Sequence, residues 1–561
     1  MLLTLILWIY CTLLTYLAGD LLLRTGRWLI CPMPLLAAPL VCLCGAAGLT
    51  VGLGWVWLLA PINLASHLVI AALLAGYGFW QRPKPVMALP RWKNPGVGWL
   101  AVGLLFLAIW LRSNQLPRLA DTGGYHAPMI EWIHEYAVVP GLANLNYRFG
   151  FNNSWFLLTA FFRFQLSPDV PWHGLNGWLM VMLGWFSLTE WHRWYQSGKP
   201  LLSAWLGGWL AVGLLIIFHW TLSSPSPDLP THAYVVLCFW AWLRRTEPDQ
   251  RQYTVGWTWL VLLFSLLALT TKLSAVTVLL LPAISILQTL YQRDWRNGLR
   301  LVITSGIVTG SWWVGNVLLS GYIAYPSLSP LVDWFSVDWK VPRGVIAVGL
   351  KNLQEGTRGD NGPVFSLGWI PYWFKTRPLF EQALYAALLA APFVVIGRRK
   401  SMFTSLSGYG MAQVTAWLGV VFWFLLAPEL RFGAGNILLA LGLCYGPVLC
   451  RATVGRGRAH RVGLGMAGLI GLAFVVAAVR RESVDWLLPA GYPDSPLGTY
   501  KADDRLIQYP ADEQRVANGI RGYWGNCYDA ALPCTPYPMP GLHWRGQNLQ
   551  DGFRTDSTNQ Q

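Results

Sequence analysis

Between Ser113 and Phe162 the chain reads SNQLPRLADTGGYHAPMIEWIHEYAVVPGLANLNYRFGFNNSWFLLTAFF, which places Asp121, His126, Glu131, His134, Glu135 and Arg148 between apolar segments. Asp121 precedes Thr122, Gly123 and Gly124, and a helix-like run from Tyr125 to Tyr136 follows. An aspartate there accepts hydrogen bonds from the first free amides of a helix. A carboxylate so positioned is also a candidate general base, and the two readings are compatible. Tyr125 and His126 open the run, and His126 shares a face with Ile130. Glu131, His134 and Glu135 share another at i, i+3 and i+4. Such a set can ligate a divalent metal. No second ligand cluster accompanies it, so a solvated amphipathic face is the preferred reading. Arg148 lies among aromatics, where its planar fork suits a lipid phosphate or its stem anchors it at a membrane interface. Asn152-Asn153-Ser154 satisfies an N-glycosylation sequon, a match that is short and common by chance.

Three further charges stand at the ends of apolar runs. Asp228 lies in TLSSPSPDLPTHA, Lys272 in ALTTKLSAV and Arg431 beside Glu429 in APELRFGAGN. A charge at mid-membrane costs about 3 kcal/mol on the insertion scale, so Lys272 is either interfacial or functional. All three are expected to reach the outer membrane surface near Asp121. One acid and two bases there suit a phosphate or pyrophosphate head. The stretch YPSLSPLVDWFSVDWKVP mixes Tyr325, Asp333, Trp334, Asp338, Trp339 and Lys340. That mixture suits sugar recognition and an interfacial helix equally, and both stay open.

The elements that must hold these residues are membrane spans. Of 561 residues, 54% are hydrophobic and 12% charged, about half the charge of an ordinary soluble chain. Continuous apolar runs of roughly 17–25 residues fit a bilayer core of ~30 Å and argue against an outer-membrane barrel. The reading is an all-α polytopic membrane protein with about 14 transmembrane helices. They fall near 1–20, 34–57, 63–80, 97–113, 174–190, 202–219, 231–243, 255–270, 273–290, 301–319, 379–396, 409–427, 434–450 and 462–479. The segment near 231–243 is the shortest. Trp155–Phe162 is too short to cross and reads as an interfacial or re-entrant helix.

The net charge of +15 does not imply nucleic acid, because the basic residues fall in short loops. The positive-inside rule collects Arg24/Arg27, Arg82/Lys84/Arg91/Lys93, Arg193/Lys199, Arg244/Arg245/Arg251, Arg293/Arg296/Arg300, Arg398/Arg399/Lys400 and Arg451/Arg456/Arg458/Arg461 on the cytoplasmic side. The long segments 114–173 and 320–378 and the polar tail from Arg480 then fall outside, as do both termini. The 34 Trp residues read mainly as interfacial belts. Seven of nine Cys (Cys11, Cys31, Cys42, Cys44, Cys238, Cys444 and Cys450) lie in or beside apolar runs and read as small hydrophobes. Cys527 and Cys534 stand in the tail, where an oxidising compartment allows a small disulfide loop. The tail is expected to be a small irregular domain packed over the outer face.

This layout resembles the GT-C superfamily of membrane glycosyltransferases: a first core span, a large outward loop with an acid just past the membrane, interfacial helices, many spans and an outward C-terminal domain. Asp121 matches the position of the family's loop acid. Thr122 replaces the second acid common there, and no tryptophan-rich oligosaccharyltransferase signature is present. The GYH, VPGLANL–RFGFN–WF, DWKVP and CYDAALPCTPYP stretches resemble a set of bacterial membrane proteins without assigned chemistry. The GT-C resemblance implies a three-span addition at 1–96, a core at 97–479 with outward loops 114–173 and 320–378, and an extracytoplasmic domain at 480–561. It implies a bacterial inner (plasma) membrane location and inverting transfer from a polyprenyl-phosphate-linked sugar to an acceptor hydroxyl on a glycan, lipid or protein. Asp121 would be the base; Tyr125, His126, Arg148, Asp228, Lys272, Asp338, Lys340 and Arg431 would contact substrate or membrane lipid. No cofactor is implied. The rival readings are a lipid-linked sugar transporter or flippase, a polysaccharide polymerase or ligase, and a non-catalytic scaffold.

Overall fold

A computed structural model describes residues 1–29, 32–83, 95–167, 170–359, 367–396, 408–453, 457–479, 489–490, 492, 497–510, 514–517, 520–523, 526–536, 539 and 541–556. Cys31, Lys84, Arg91, Lys93, Arg398, Arg399, Lys400, Arg456 and Arg480 lie outside them.

The chain opens with α1 (Leu2–Leu29), α2 (Ala38–Trp57), α3 (Leu64–Gln81) and α4 (Pro95–Ser113). A polar segment then holds α5 (Ala127–Glu135), α6 (Leu142–Leu145), α7 (Trp155–Phe161) and a short hairpin, β1 (Gln165–Ser167) with β2 (Val170–Pro171). The bundle continues with α8 (Leu175–Ser197), α9 (Leu202–Phe218), α10 (Asp228–Arg245), α11 (Thr254–Thr271), α12 (Leu280–Tyr291) and α13 (Trp295–Ser320). After α14 (Arg343–Arg358) and α15 (Ile370–Thr376) come α16 (Leu379–Ile396), α17 (Gly408–Leu426), α18 (Leu430–Thr453) and α19 (Gly457–Val479).

Among the described residues, 9 helices are long and apolar enough to cross a membrane, and three shorter apolar helices cover Gly98–Ser113, Leu379–Val394 and Gly465–Ala477. The chain is therefore a multi-pass, mostly helical membrane protein. Helix α10 is buried from Asp228 to Leu243. It needs no lipid-facing stripe, and with Asp228 at its start and Arg244 and Arg245 at its end its apolar run is short for a span. Helix α3 is the opposite case, buried only at His67 and Leu74. Between α11 and α12 the chain runs as a 3₁₀ helix, Leu273–Leu279, an interruption that the apolar pattern conceals.

Three local expectations change. Trp155–Phe161, read as an interfacial or re-entrant helix, is buried throughout and packed between α2 and α5, so protein rather than solvent or headgroups surrounds it. The segment 320–378 is partly helical, at α14 and α15. The tail adds strands to a chain read as all-α: β3 (Leu497–Ala502) pairs antiparallel with β4 (Arg505–Pro510), β5 (Gln514–Ala517) with β6 (Ile520–Tyr523), and β7 (Leu542–Trp544) with β8 (Phe553–Thr555). Asp503 and Asp504, at φ 49° and 61°, form the left-handed two-residue turn that suits a hairpin twist.

The three long polar segments meet at one end of the bundle. The Phe553 amide donates to the Pro140 carbonyl at 3.1 Å and the Ala490 amide to that of Asn114 at 3.0 Å. Arg545 pairs with Asp338 at 2.8 Å. Gly141 (φ 68°) lacks the Cβ that would collide with the Phe553 carbonyl. Basic loops gather elsewhere: Arg193 bridges Glu190 (2.6 Å) and Glu247 (3.0 Å), which Arg244 also pairs. Asn152 is buried and donates to the Trp312 carbonyl at 2.9 Å, so the sequon is not presented to solvent.

Candidate functional site

Asp121 stands at the head of a π-helical turn, Thr122–His126, a widened turn frequent at functional sites. The turn is held from two sides. Thr122 Oγ1 lies 2.7 Å from Ser224 Oγ, in the segment leading into α10. The Gly123 carbonyl accepts from the amides of Cys527 (2.9 Å) and Tyr528 (3.2 Å). Cys527 and Cys534 are joined by a disulfide.

The Asp121 side chain makes no cap bond. One carboxylate oxygen accepts from Arg148 Nη1 at 2.8 Å, the other from Arg431 Nη1 at 3.0 Å. The capping reading therefore gives way to an ion-paired one. Arg148 comes from a 3₁₀ turn, Tyr147–Phe151. Its guanidinium lies 5.6 Å from the ring centres of both Tyr125 and Tyr147, and Nε donates to Tyr147 Oη at 3.1 Å.

Arg431, the second residue of α18, extends the cluster inward. Its Nη1 is 3.8 Å from Asp228 and its Nε 2.8 Å from Glu429. Asp228 opens α10, where the positive end of the helix dipole favours an acid. It also pairs with Lys272, at the break between α11 and the 3₁₀ run. Phe432 lies under both cations, 3.9 Å from Lys272 Nζ and 4.6 Å from the Arg431 guanidinium carbon. The cluster thus holds Asp121, Asp228 and Glu429 against Arg148, Lys272 and Arg431, with no net formal charge. Asp228 is the buried end, with its side chain 4% exposed; Arg148 and Glu429, at 32%, form the open end.

Burial raises the Asp121 carboxyl, but Arg148, His126 and Arg431 together outweigh it and hold it down at about 2. His126 is buried, with no hydrogen-bond partner at Nδ1. Burial lowers its imidazole to about 4, against the pull of Asp121 and Asp228. It therefore sits neutral beside a fully charged carboxylate.

The structure brings Asp121, Tyr125, His126, Arg148, Asp228, Lys272 and Arg431 together. Asp338 and Lys340 are engaged elsewhere: Asp338 with Arg545, Lys340 with Asp333 and over the Tyr322 ring at 4.9 Å. Glu131, His134 and Glu135 keep their ligand atoms within 4.8 Å of one another. The face is less solvated than its pattern suggests, because Arg163 pairs with a half-buried Glu131 at 2.6 Å. Glu429, noted in the sequence beside Arg431 but given no role, joins the cluster, and Tyr147 and Phe432 are members that sequence reasoning missed. Each adjoins an identified residue, and that adjacency was the available signal.

Among known proteins, the family model described as Domain of unknown function (DUF8201) matches residues 1–438. This chain belongs to that family. The matched region contains the whole Asp121–Arg431 cluster and ends before the tail. No curated protein matches. Among solved structures, ArnT from Cupriavidus metallidurans bound to undecaprenyl phosphate aligns over 69% of this chain and 71% of its own, at 15% identity and a TM-score of 0.34. A likeness that loose fixes neither the fold nor the activity of this chain.

Proposed function

We propose that this protein is an integral membrane glycosyltransferase of GT-C type. In this reading it moves a sugar from a polyprenyl-phosphate donor to an acceptor hydroxyl, with inversion, on the extracytoplasmic face of a bacterial plasma membrane. The carrying observation is the convergence of Arg148, Lys272 and Arg431 on the Asp121–Asp228 pair, where the polar segments gather at one end of an apolar bundle. The reading assigns residues 1–96 to a three-span addition, 97–479 to the core and 480–561 to an outward domain, with fourteen crossings and both termini outside.

At rest Asp121 is a weak base, because two arginines hold its charge. A lipid phosphate arriving between those arginines competes for their N–H groups and frees the carboxylate, raising its proton affinity. Asp121 then takes the proton of the acceptor hydroxyl. The hydroxyl oxygen bonds to the anomeric carbon from the face opposite the phosphate, and the bond from that carbon to the phosphate oxygen breaks. The departing phosphate keeps the electron pair, and Arg148, Lys272 and Arg431 stabilise its charge. Tyr147, partly exposed beside Arg148, offers a ring to a sugar, while the buried Tyr125 backs the Arg148 guanidinium.

The test is release of label from a panel of radiolabelled polyprenyl-phosphate sugars, comparing wild type with Asp121→Ala. Asp121-dependent release supports the reading and names the donor. No release from any donor by folded protein rejects it. The interruption at Lys272 favours one rival, a flippase, because broken helices at polar sites serve transport. Movement of intact lipid-linked sugar across a vesicle without bond cleavage would select that rival.

A further inference from the structure

We propose that His232 is a positioning residue for Arg431: its neutral imidazole is set into the first turn of α18 and, through that turn, aims the Arg431 guanidinium at Asp121. The inference rests on the reading above for what the site does, but not for what His232 holds.

His232 lies one helical turn after Asp228 on the buried α10. The Gly435 amide donates to its Nδ1 at 3.1 Å. An amide N–H only donates, so Nδ1 is unprotonated and the ring proton sits on Nε2. That nitrogen lies 2.8 Å from the Arg431 carbonyl, to which it donates. The two backbone groups bridged in this way are four residues apart, the pair that bond each other in a regular α-helical turn. The ring is further fixed by stacking on Phe218, with centres 5.5 Å apart and planes at 28°. Gly435 makes room for it: a Cβ there would lie 2.9 Å from Nδ1.

Helix α10 therefore holds Arg431 at two points. Asp228 faces the guanidinium, and His232 holds the carbonyl of the same residue. A guanidinium shared among three carboxylates has several places to rest, and fixing its backbone selects the rotamer that reaches Asp121. His232 touches neither a reacting atom nor a proposed substrate, so its contribution passes through Arg431.

Thermal unfolding of the full-length protein in detergent tests this without any ligand. Asp121→Asn should lower the midpoint in wild type. In a His232→Phe background, where the ring can still stack on Phe218 but makes neither hydrogen bond, the same substitution should lower it by less, because Arg431 has already left Asp121 and only the Arg148 pair remains to be lost. His232→Gln, whose amide can both donate to Arg431 and accept from Gly435, should restore the full effect. Gly435→Ala, which keeps His232 but crowds its ring, should behave as His232→Phe. Equal Asp121→Asn shifts in wild type and His232→Phe would overturn the proposal and leave the ring as packing. Affinity for a short-chain polyprenyl phosphate gives a second readout. It should fall about tenfold in His232→Phe, the scale of a lost hydrogen bond to a charged site, and fall no further when His232→Phe is added to Arg431→Gln. Should wild type not bind that lipid, the donor reading fails while the thermal comparison still decides the role of His232.

Discussion

Asp121 carries its charge between two arginines, which sets both what it contributes at rest and what must change before it accepts a proton. Its carboxyl lies at about 2 in the folded chain against an ordinary 3.8. A lowered carboxyl stabilises the fold fully above its unfolded value, and that stabilisation disappears as pH falls from about 4 towards 2. The difference is worth roughly 2 kcal/mol at neutral pH. Asp121→Asn should therefore cost stability of that order at pH 7, the cost should shrink below pH 4, and sugar transfer should fall by about 10²–10⁴-fold. Melting curves and turnover on the same preparations check both. His126 titrates in a different window. Its buried imidazole is held at about 4 against an ordinary 6.5, so the unfolded chain takes up a proton first as pH falls. Its stabilisation is complete above 6.5 and falls by roughly 3 kcal/mol by pH 4. His126→Gln should flatten the melting profile between pH 6.5 and 4.5; an unchanged slope would show that the proton goes elsewhere. Asp121, Arg148, Asp228, Lys272 and Arg431 were legible in the sequence because a charge beside an apolar run is costly and therefore conspicuous. His232 was not. Its meaning depends on the register of α10 against α18, which no local pattern carries.

Helices and strands differed in how openly they declared themselves. Apolar length exposed most spans, but α10 carries only a short apolar run between charged ends and is sheltered by its neighbours rather than by lipid. The tail hairpins were concealed for another reason: the Asp503–Asp504 turn needs left-handed backbone at both residues, and two aspartates are a weak signal beside Asn-Gly. The seam between tail and core is tight at the π-turn. A Cβ on Gly123 would collide with the Asn526 side chain, whereas one on Gly184 in α8 would meet nothing within 4 Å. Gly123→Ala should therefore lower stability by about 1–3 kcal/mol, as overpacking does, and hasten proteolysis of the tail. Gly184→Ala, with space around it and a better helix former in place, should be neutral or slightly stabilising. Limited proteolysis and melting of the two variants side by side separate a specific seam from general sensitivity to added volume.

For the whole molecule the decisive question is which end of the bundle faces the cytoplasm, because a donor and a base on opposite sides of a membrane cannot react. Contacts place the Asp121 cluster beside the tail, since Cys527 and Tyr528 donate to Gly123. The loop residues Arg251 and Arg296 are exposed, and the bias of basic residues puts their loops inside. Lys501, on strand β3, is also exposed. Among the described cysteines, Cys527 and Cys534 are bonded to each other and the other six are buried, so a Cys31→Ser background should react little with a membrane-impermeant maleimide. In intact cells Lys501→Cys should be labelled readily, and Arg251→Cys and Arg296→Cys only after the membrane is opened. The reverse pattern would turn the cluster towards the cytoplasm and exclude an extracytoplasmic transfer. Labelling of Lys501→Cys and only one of the two loop positions would mean that one of the intervening helices does not cross. Between Arg251 and Arg296 these are α11 and α12, joined at Lys272, so the result would also decide whether that lysine stands at the membrane surface or within the bilayer.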